Sequence, residues 1–168
     1  MIIEESGMGF VVEDDKCFRI EKSPSIVKLN NVKTSEFISI TAKDEITIIE
    51  AKTSIPNAQN PASQEKLNEF VKEIREKFQN SISIINAAII GRLSKTYKEL
   101  PMRFMDIEYN TVEYVLFLVV KQAREEWLPF MSDLLLKELR PFLTCWNIPT
   151  KRFKVINESM AKDNNLIL

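Results

Sequence analysis

Residues 113–121, EYVLFLVVK, set seven apolar side chains in unbroken succession. Consecutive strand residues point to opposite faces of a sheet, so such a run needs cover on both faces. It is predicted to be a central strand, and the rest of the chain must supply its two covering layers. At 168 residues the chain is one domain long, 1–168, and large enough to bury a core without a disulfide or metal staple.

The flanking segments read as alternating strands and helices. GFVV and CFRIEKS (17–23), separated by the acidic EDD, are predicted to form an N-terminal hairpin. EFISIT (36–41) and ITIIEAKTS (46–54), separated by the polar AKDE, form a second one. PNAQNP ends this block, and Asn60 before Pro61 suits the start of a helix. From there Leu67, Phe70, Val71, Ile74, Phe78, Ile82, Ile85 and Ile89 recur at three- and four-residue steps, giving one long amphipathic helix up to Gly91. Its other side, with Glu65, Glu69, Lys72, Glu73 and Glu76, reads as a solvated stripe. EEWLPFMSDLLLKELR is a second helix, with Pro129 in its first turn and Pro141 as its stop. Trp127 and Trp146 are expected to close one end of the core. KRFKVIN is a final strand, after which Asn157 caps a last helical piece. The fold class is therefore α/β: a mixed central sheet with an N-terminal β-meander followed by α-β-α-β-α.

Composition removes whole classes of function. The chain contains no histidine, so Ser-His-Asp triads, Cys-His pairs and HExxH zinc sites are excluded. Three glycines, Gly7, Gly9 and Gly91, cannot build a GxGxxG or Walker loop. Cys17 and Cys145 stand far apart without a CxxC, as expected of two core thiols in a reducing compartment. The N-terminus carries acidic residues and no long apolar stretch, and no apolar run reaches the roughly 18 residues of a membrane span. A water-soluble, cytoplasmic protein is expected. The net charge of −1 argues against coating nucleic acid by charge alone. Basic residues do gather at Arg92, Lys95, Lys98 and Arg103, and again at Lys151, Arg152 and Lys154, either as solvated surface or as a local groove.

One strand breaks its own pattern. Glu50 and Lys52 lie two residues apart, and so share a face with Ile46 and Ile48, separated by about 7 Å along the strand. Charges beside isoleucines are costly unless paired or serving a metal or substrate. Either the strand leaves the core here, or the two groups form a site.

In this context the chain resembles the PD-(D/E)xK nuclease superfamily, with its restriction-endonuclease-like fold. The resemblance rests on Glu36 opening EFISIT, then EAKTS, then the Asn60 helix and YVLFLVV, and covers roughly residues 17–121. The family's usual aspartate is Glu36 here, one methylene longer. The resemblance implies metal-dependent phosphodiester hydrolysis of nucleic acid, DNA in preference to RNA, with Mg²⁺ or Mn²⁺ held by Glu36, Glu50 and the carbonyl of Ala51. Lys52 would hold the attacking water or the transition-state phosphate. Glu21 is the candidate for a further upstream acid, its other reading being a surface pair with Lys22 or Arg19, and Gln64 is a weaker candidate from the following helix. Arg92, Lys95, Lys98 and Arg103 would bind nucleic acid. The alternative function is a catalytically silent nuclease-like fold used for binding or assembly, and either form could act as a homodimer or in a larger complex.

The site imposes a condition on strand register. A two- or four-residue loop centred on Lys43 and Asp44 sets Glu36 opposite Ala51, on the wrong face from Glu50. The site therefore requires an odd loop or a bulge.

Overall fold

The structure, a computed structural model, describes residues 1–42, 44–57 and 60–168, the side chain of Pro61 excepted. Parts of the predicted AKDE loop (Lys43) and PNAQNP break (Ala58, Gln59) lie outside the described residues. In chain order the elements are β1 (Ile2–Glu5), β2 (Met8–Val11), β3 (Cys17–Phe18), α1 (Pro24–Val27), β4 (Phe37–Ala42), β5 (Glu45–Lys52), α2 (Gln64–Ile89), α3 (Ser94–Glu99), β6 (Glu113–Val120), α4 (Leu128–Cys145), β7 (Phe153–Asn157) and α5 (Glu158–Asp163).

Five strands form one mixed sheet in the order β3-β4-β5-β6-β7. The β3-β4-β5 meander is antiparallel, whereas β5, β6 and β7 run parallel. This agrees with the mixed α/β class; α1 and α3 are additions to the predicted order, and β1-β2 forms a separate two-stranded sheet. The apolar run becomes β6, bonded on both edges, with Tyr114 to Val120 all buried; β5 takes the exact middle of the sheet. Its alternating side chains enter two cores. Leu116, Leu118 and Val120 pack with Ile74, Phe78 and Ile82 of α2 and Leu135 and Leu139 of α4. Val115, Phe117 and Val119 face Ile3, Met8 and Phe10 of the small β1-β2 sheet and Ala161 of α5. Helices therefore cover one face, and a hairpin with a short helix covers the other.

Four predictions are corrected. The N-terminal hairpin is β1-β2, turning at Ser6 and Gly7, both at positive φ, rather than GFVV paired with CFRIEKS. Only Cys17 and Phe18 of the latter extend as strand, pairing with β4. Pro141 does not stop α4, which continues to Cys145 because Leu139 and Leu143 extend the buried stripe while Pro141 faces solvent. There the carbonyl that loses its helical partner can be hydrated. Cys17 is buried, and burial pushes its thiol up to about 12, but Cys145 is exposed and not a core thiol. Trp127 and Trp146 flank opposite ends of α4 rather than closing one end together; Trp146 stacks edge-on against Tyr114 at 6.3 Å.

Asn157 caps α5 as expected, its Oδ1 accepting from the Met160 N–H at 3.0 Å. Among the described residues no helix is long and apolar enough to cross a membrane.

Candidate active site

Glu36, Glu50 and Lys52 come together because β4 is bulged. At the turn Ala42 faces Glu45, but beyond an irregularity between Ile40 and Ala42 the pairing becomes Ile40 with Ile46, Ile38 with Ile48 and Phe37 with Ile49. The extra residue shifts the parity of the ladder. Glu36, just before β4, donates its N–H to the Ile49 carbonyl at 3.0 Å, and its carboxylate approaches the same Lys77 ammonium that meets Glu50. The register condition is met, and both carboxylates project from the face that carries α2 and α4.

This cluster lies at the carboxyl ends of parallel β5 and β6, where crevices of open α/β sheets form. Backbone geometry supplies another oxygen there. Carbonyls along a strand alternate sides, so the Ala51 carbonyl points the same way as that of Ile49, past the point where β4 begins. In place of a strand partner it accepts from the Ser6 hydroxyl at 3.0 Å.

Lys77 and Glu73 of α2 and Lys33 complete the cluster. Lys77 of α2, only 9% exposed, puts Nζ 2.8 Å from Glu50 Oε1 and 3.8 Å from Glu36 Oε1. Lys52 Nζ lies 3.3 Å from Glu50 Oε1 and 2.7 Å from Glu73 Oε1, with Lys33 3.9 Å from the other Glu73 oxygen. Glu50 is 0% exposed, and neither of its oxygens has a well-aligned hydrogen-bond donor; the contact with Lys77 is close but off the bonding direction, and Oε2 is an orphaned buried acceptor.

These surroundings shift the titrations. Burial pushes Glu36 up to about 9, helped by a hydrogen bond with Glu21 and the charge of Glu50 and opposed by Lys77. At neutral pH Glu36 therefore keeps its proton. Burial also raises Glu50, with Lys77 and Lys52 pulling against it. For Lys52 burial acts to lower the pKa, but Glu73 and Glu50 outweigh it and hold the ammonium above its usual range. Glu73 is lowered, since Lys52 and Lys33 outweigh its partial burial.

The donor set suits a hard divalent cation. Glu36, Glu50 and the Ala51 carbonyl are all oxygen ligands, and Glu50 Oε2 is a buried acceptor without a hydrogen-bond partner. Among the described residues no three acidic, cysteine or histidine side chains converge as a metal cage. An ion here would rest on two carboxylates, one carbonyl and water, as magnesium commonly does. It would have to displace the Lys77 ammonium from between the carboxylates.

The remaining predicted residues lie as follows. Glu21 reaches Glu36, whereas Lys22 and Arg19 bond Glu5. Gln64 opens α2 and donates to Asn68 Oδ1 at 3.1 Å, away from the cluster. The segment carrying Arg92, Lys95, Lys98 and Arg103 does not rim the trio. It follows the C-terminal end of α2, where Asn86 donates to the Tyr114 hydroxyl at the start of β6, the opposite end of the sheet. Lys95 and Lys98 line a groove with Pro24 and Leu29 of the α1 region, and Arg103 pairs with Asp15 at 3.4 Å. Arg152 of the second basic run bonds Glu45 and Glu113, and Lys154 covers the Phe117 ring at 5.3 Å.

Lys77 and Glu73 were not singled out as site residues from the sequence. The available signal was a row of Glu73, Lys77 and Ser81 at steps of four, bordering the apolar stripe of α2. Ser81 accepts from the Ser35 N–H at 2.9 Å, so this row lies beside the chain entering β4. Comparison of the chain with family models, with curated proteins and with solved structures finds no match.

Proposed function

We propose that the domain is a PD-(D/E)xK-type nuclease, restriction-endonuclease-like in arrangement, that hydrolyses phosphodiester bonds in nucleic acid, DNA in preference to RNA. The observation that carries this reading is the bulge in β4, which turns Glu36 to the face of Glu50 and into contact with Glu21, near Lys52, at the carboxyl ends of two parallel strands. Glu36, Glu50 and the Ala51 carbonyl would hold Mg²⁺ or Mn²⁺, which when bound supplies a Lewis acid for the phosphate and lowers the pKa of water. Lys52, one quarter exposed, is the ammonium that can reach a phosphate oxygen, exchanging Glu73 for it. Glu50 fixes Lys52 from the buried side. We place the domain in a homodimer or larger complex.

A second reading has its own observation. Lys77 holds the position between the carboxylates that a cation would take, which favours a catalytically silent fold serving as a binding or assembly module. Cleavage of labelled single-stranded DNA, duplex DNA and RNA with Mg²⁺ or Mn²⁺ separates the two. The nuclease reading expects metal-dependent cleavage that is lost in folded Lys52→Ala. No cleavage by wild type, or equal cleavage by both proteins, sinks it in favour of the module.

A further inference from the structure

A cleft of about 270 Å³ opens beside the carboxylate cluster, lined by Ile55 and Asn57, just past β5, and by Glu126, Trp127, Phe130 and Met131, just past β6. Ile55 follows Lys52 by three residues, a chain span of at most about 10 Å. Cleft and cluster therefore share one edge of the sheet. Its walls are aromatic yet accessible: Phe130 is 49% exposed although it belongs to the apolar helix α4, and the Arg124 guanidinium stacks over the Trp127 ring at 5.4 Å. An exposed ring with a cation at its mouth is the arrangement that stacks bases and meets phosphates.

We infer that this cleft takes a single unstacked base of single-stranded DNA. Trp127 and Phe130 supply faces for the base, while Glu126, which lies 3.6 Å from Arg124, supplies an acceptor for its edge. A carboxylate accepts from an exocyclic amino group, as on cytosine, so Glu126 gives the cleft a direction of preference. The volume falls below the roughly 300–1,000 Å³ of sites for drug-sized ligands, which suits one base and excludes a duplex. The choice of DNA over RNA follows from the nuclease reading. The inference deepens the nuclease reading by naming its substrate, and rests on that reading for its purpose.

The test uses the full chain carrying Trp146→Phe, which leaves Trp127 as its sole tryptophan. Its fluorescence is titrated, in EDTA at fixed salt, with a short single-stranded DNA, the corresponding duplex and the RNA of the same sequence. Saturable quenching by the single DNA strand is expected, with Phe130→Ala weakening it roughly 5- to 150-fold. Phe130 is half exposed, so that variant keeps the fold, checked by circular dichroism. No quenching by single strands, or equally tight quenching by duplex, overturns the cleft assignment; tighter binding of RNA overturns the choice of DNA. Quenching without cleavage in Mg²⁺ or Mn²⁺ supports the cleft and rejects the nuclease. Cleavage that survives Phe130→Ala unchanged, with no quenching, does the reverse.

Discussion

Lys77→Met removes one charge from the interior and leaves its partner in place. Glu50 has no exposed surface, and its shortest cation contact is the 2.8 Å approach of Lys77. Coulomb's law at an effective dielectric of 20 gives about 6 kcal/mol for unit charges at that distance, an upper bound because both charges are desolvated in the fold. Lys52 remains at 3.3 Å and Glu50 can take up a proton, so the loss falls into the ~3–5 kcal/mol range of broken buried pairs. For a domain of this size that is roughly 6–20 °C in melting temperature. Thermal and urea unfolding of wild type, Lys77→Met, Glu50→Gln and the double variant form a cycle. The double variant should lose much less than the sum of the two single losses, with a coupling of at least ~1.5 kcal/mol. As the pH falls and Glu50, whose proton affinity burial raises, takes up a proton, the Lys77→Met deficit should shrink. Mg²⁺ should raise the melting temperature of Lys77→Met more than that of wild type, since the cation then meets no ammonium. A Lys77→Met protein melting within about 2 °C of wild type at pH 7 would refute the buried-pair reasoning.

Glu36 is raised from 4.5 to about 9, so the fold favours its protonated form. That contribution is complete below pH 4.5 and is lost as the pH climbs to 9. Unfolding curves across this window should show wild type losing stability relative to Glu36→Gln, and parallel curves would remove Glu36 as the cause. Because a metal needs that carboxylate ionised, Mn²⁺ affinity should rise from pH 6 to 9 with release of about one proton, read by calorimetry in buffers of different ionisation enthalpy. pH-independent affinity would place the ion elsewhere. Ser6→Ala should free the Ala51 carbonyl and tighten Mn²⁺ binding; unchanged affinity would exclude that carbonyl as a ligand. Leu139→Ala, at a fully buried position of α4, should cost ~2–5 kcal/mol in urea unfolding; a loss under 1 kcal/mol would contradict the packing of α4 past Pro141.

Local pattern was enough for β6, for the apolar stripe of α2, for the Asn157 cap and for the pairing of Glu50 with Lys52 on one face of β5. Each depends on periods of 2 or 3.6 residues or on a single side chain reaching its own backbone, interactions that neighbouring letters encode. The N-terminal hairpin was misread because GFVV alternates equally well beside either neighbour. Its choice of β1 is made by the second core, where Ile3, Met8 and Phe10 cover Val115, Phe117 and Val119. Pro141 read as a stop because helix chemistry alone disfavours it; burial of Leu139 and Leu143 carried the helix through.

The site shows the same division. Residue types at positions 36, 50 and 52 were legible, but their convergence needed a bulge between Ile40 and Ala42, which the alternation of β4 does not announce. Lys77 is 25 residues beyond Lys52 in the chain, on a helix whose polar rows all read as solvent-facing. Only the packing of α2 across β5 decides that Lys77 and Glu73 turn inward to the carboxylates while Glu65 and Glu69 stay in water. Sequence thus determined the layered α/β order and the face on which charge would be buried, because both follow from local periodicity. Tertiary structure decided which charges meet, because ion pairing across a sheet and a helix depends on register and docking that no local period specifies.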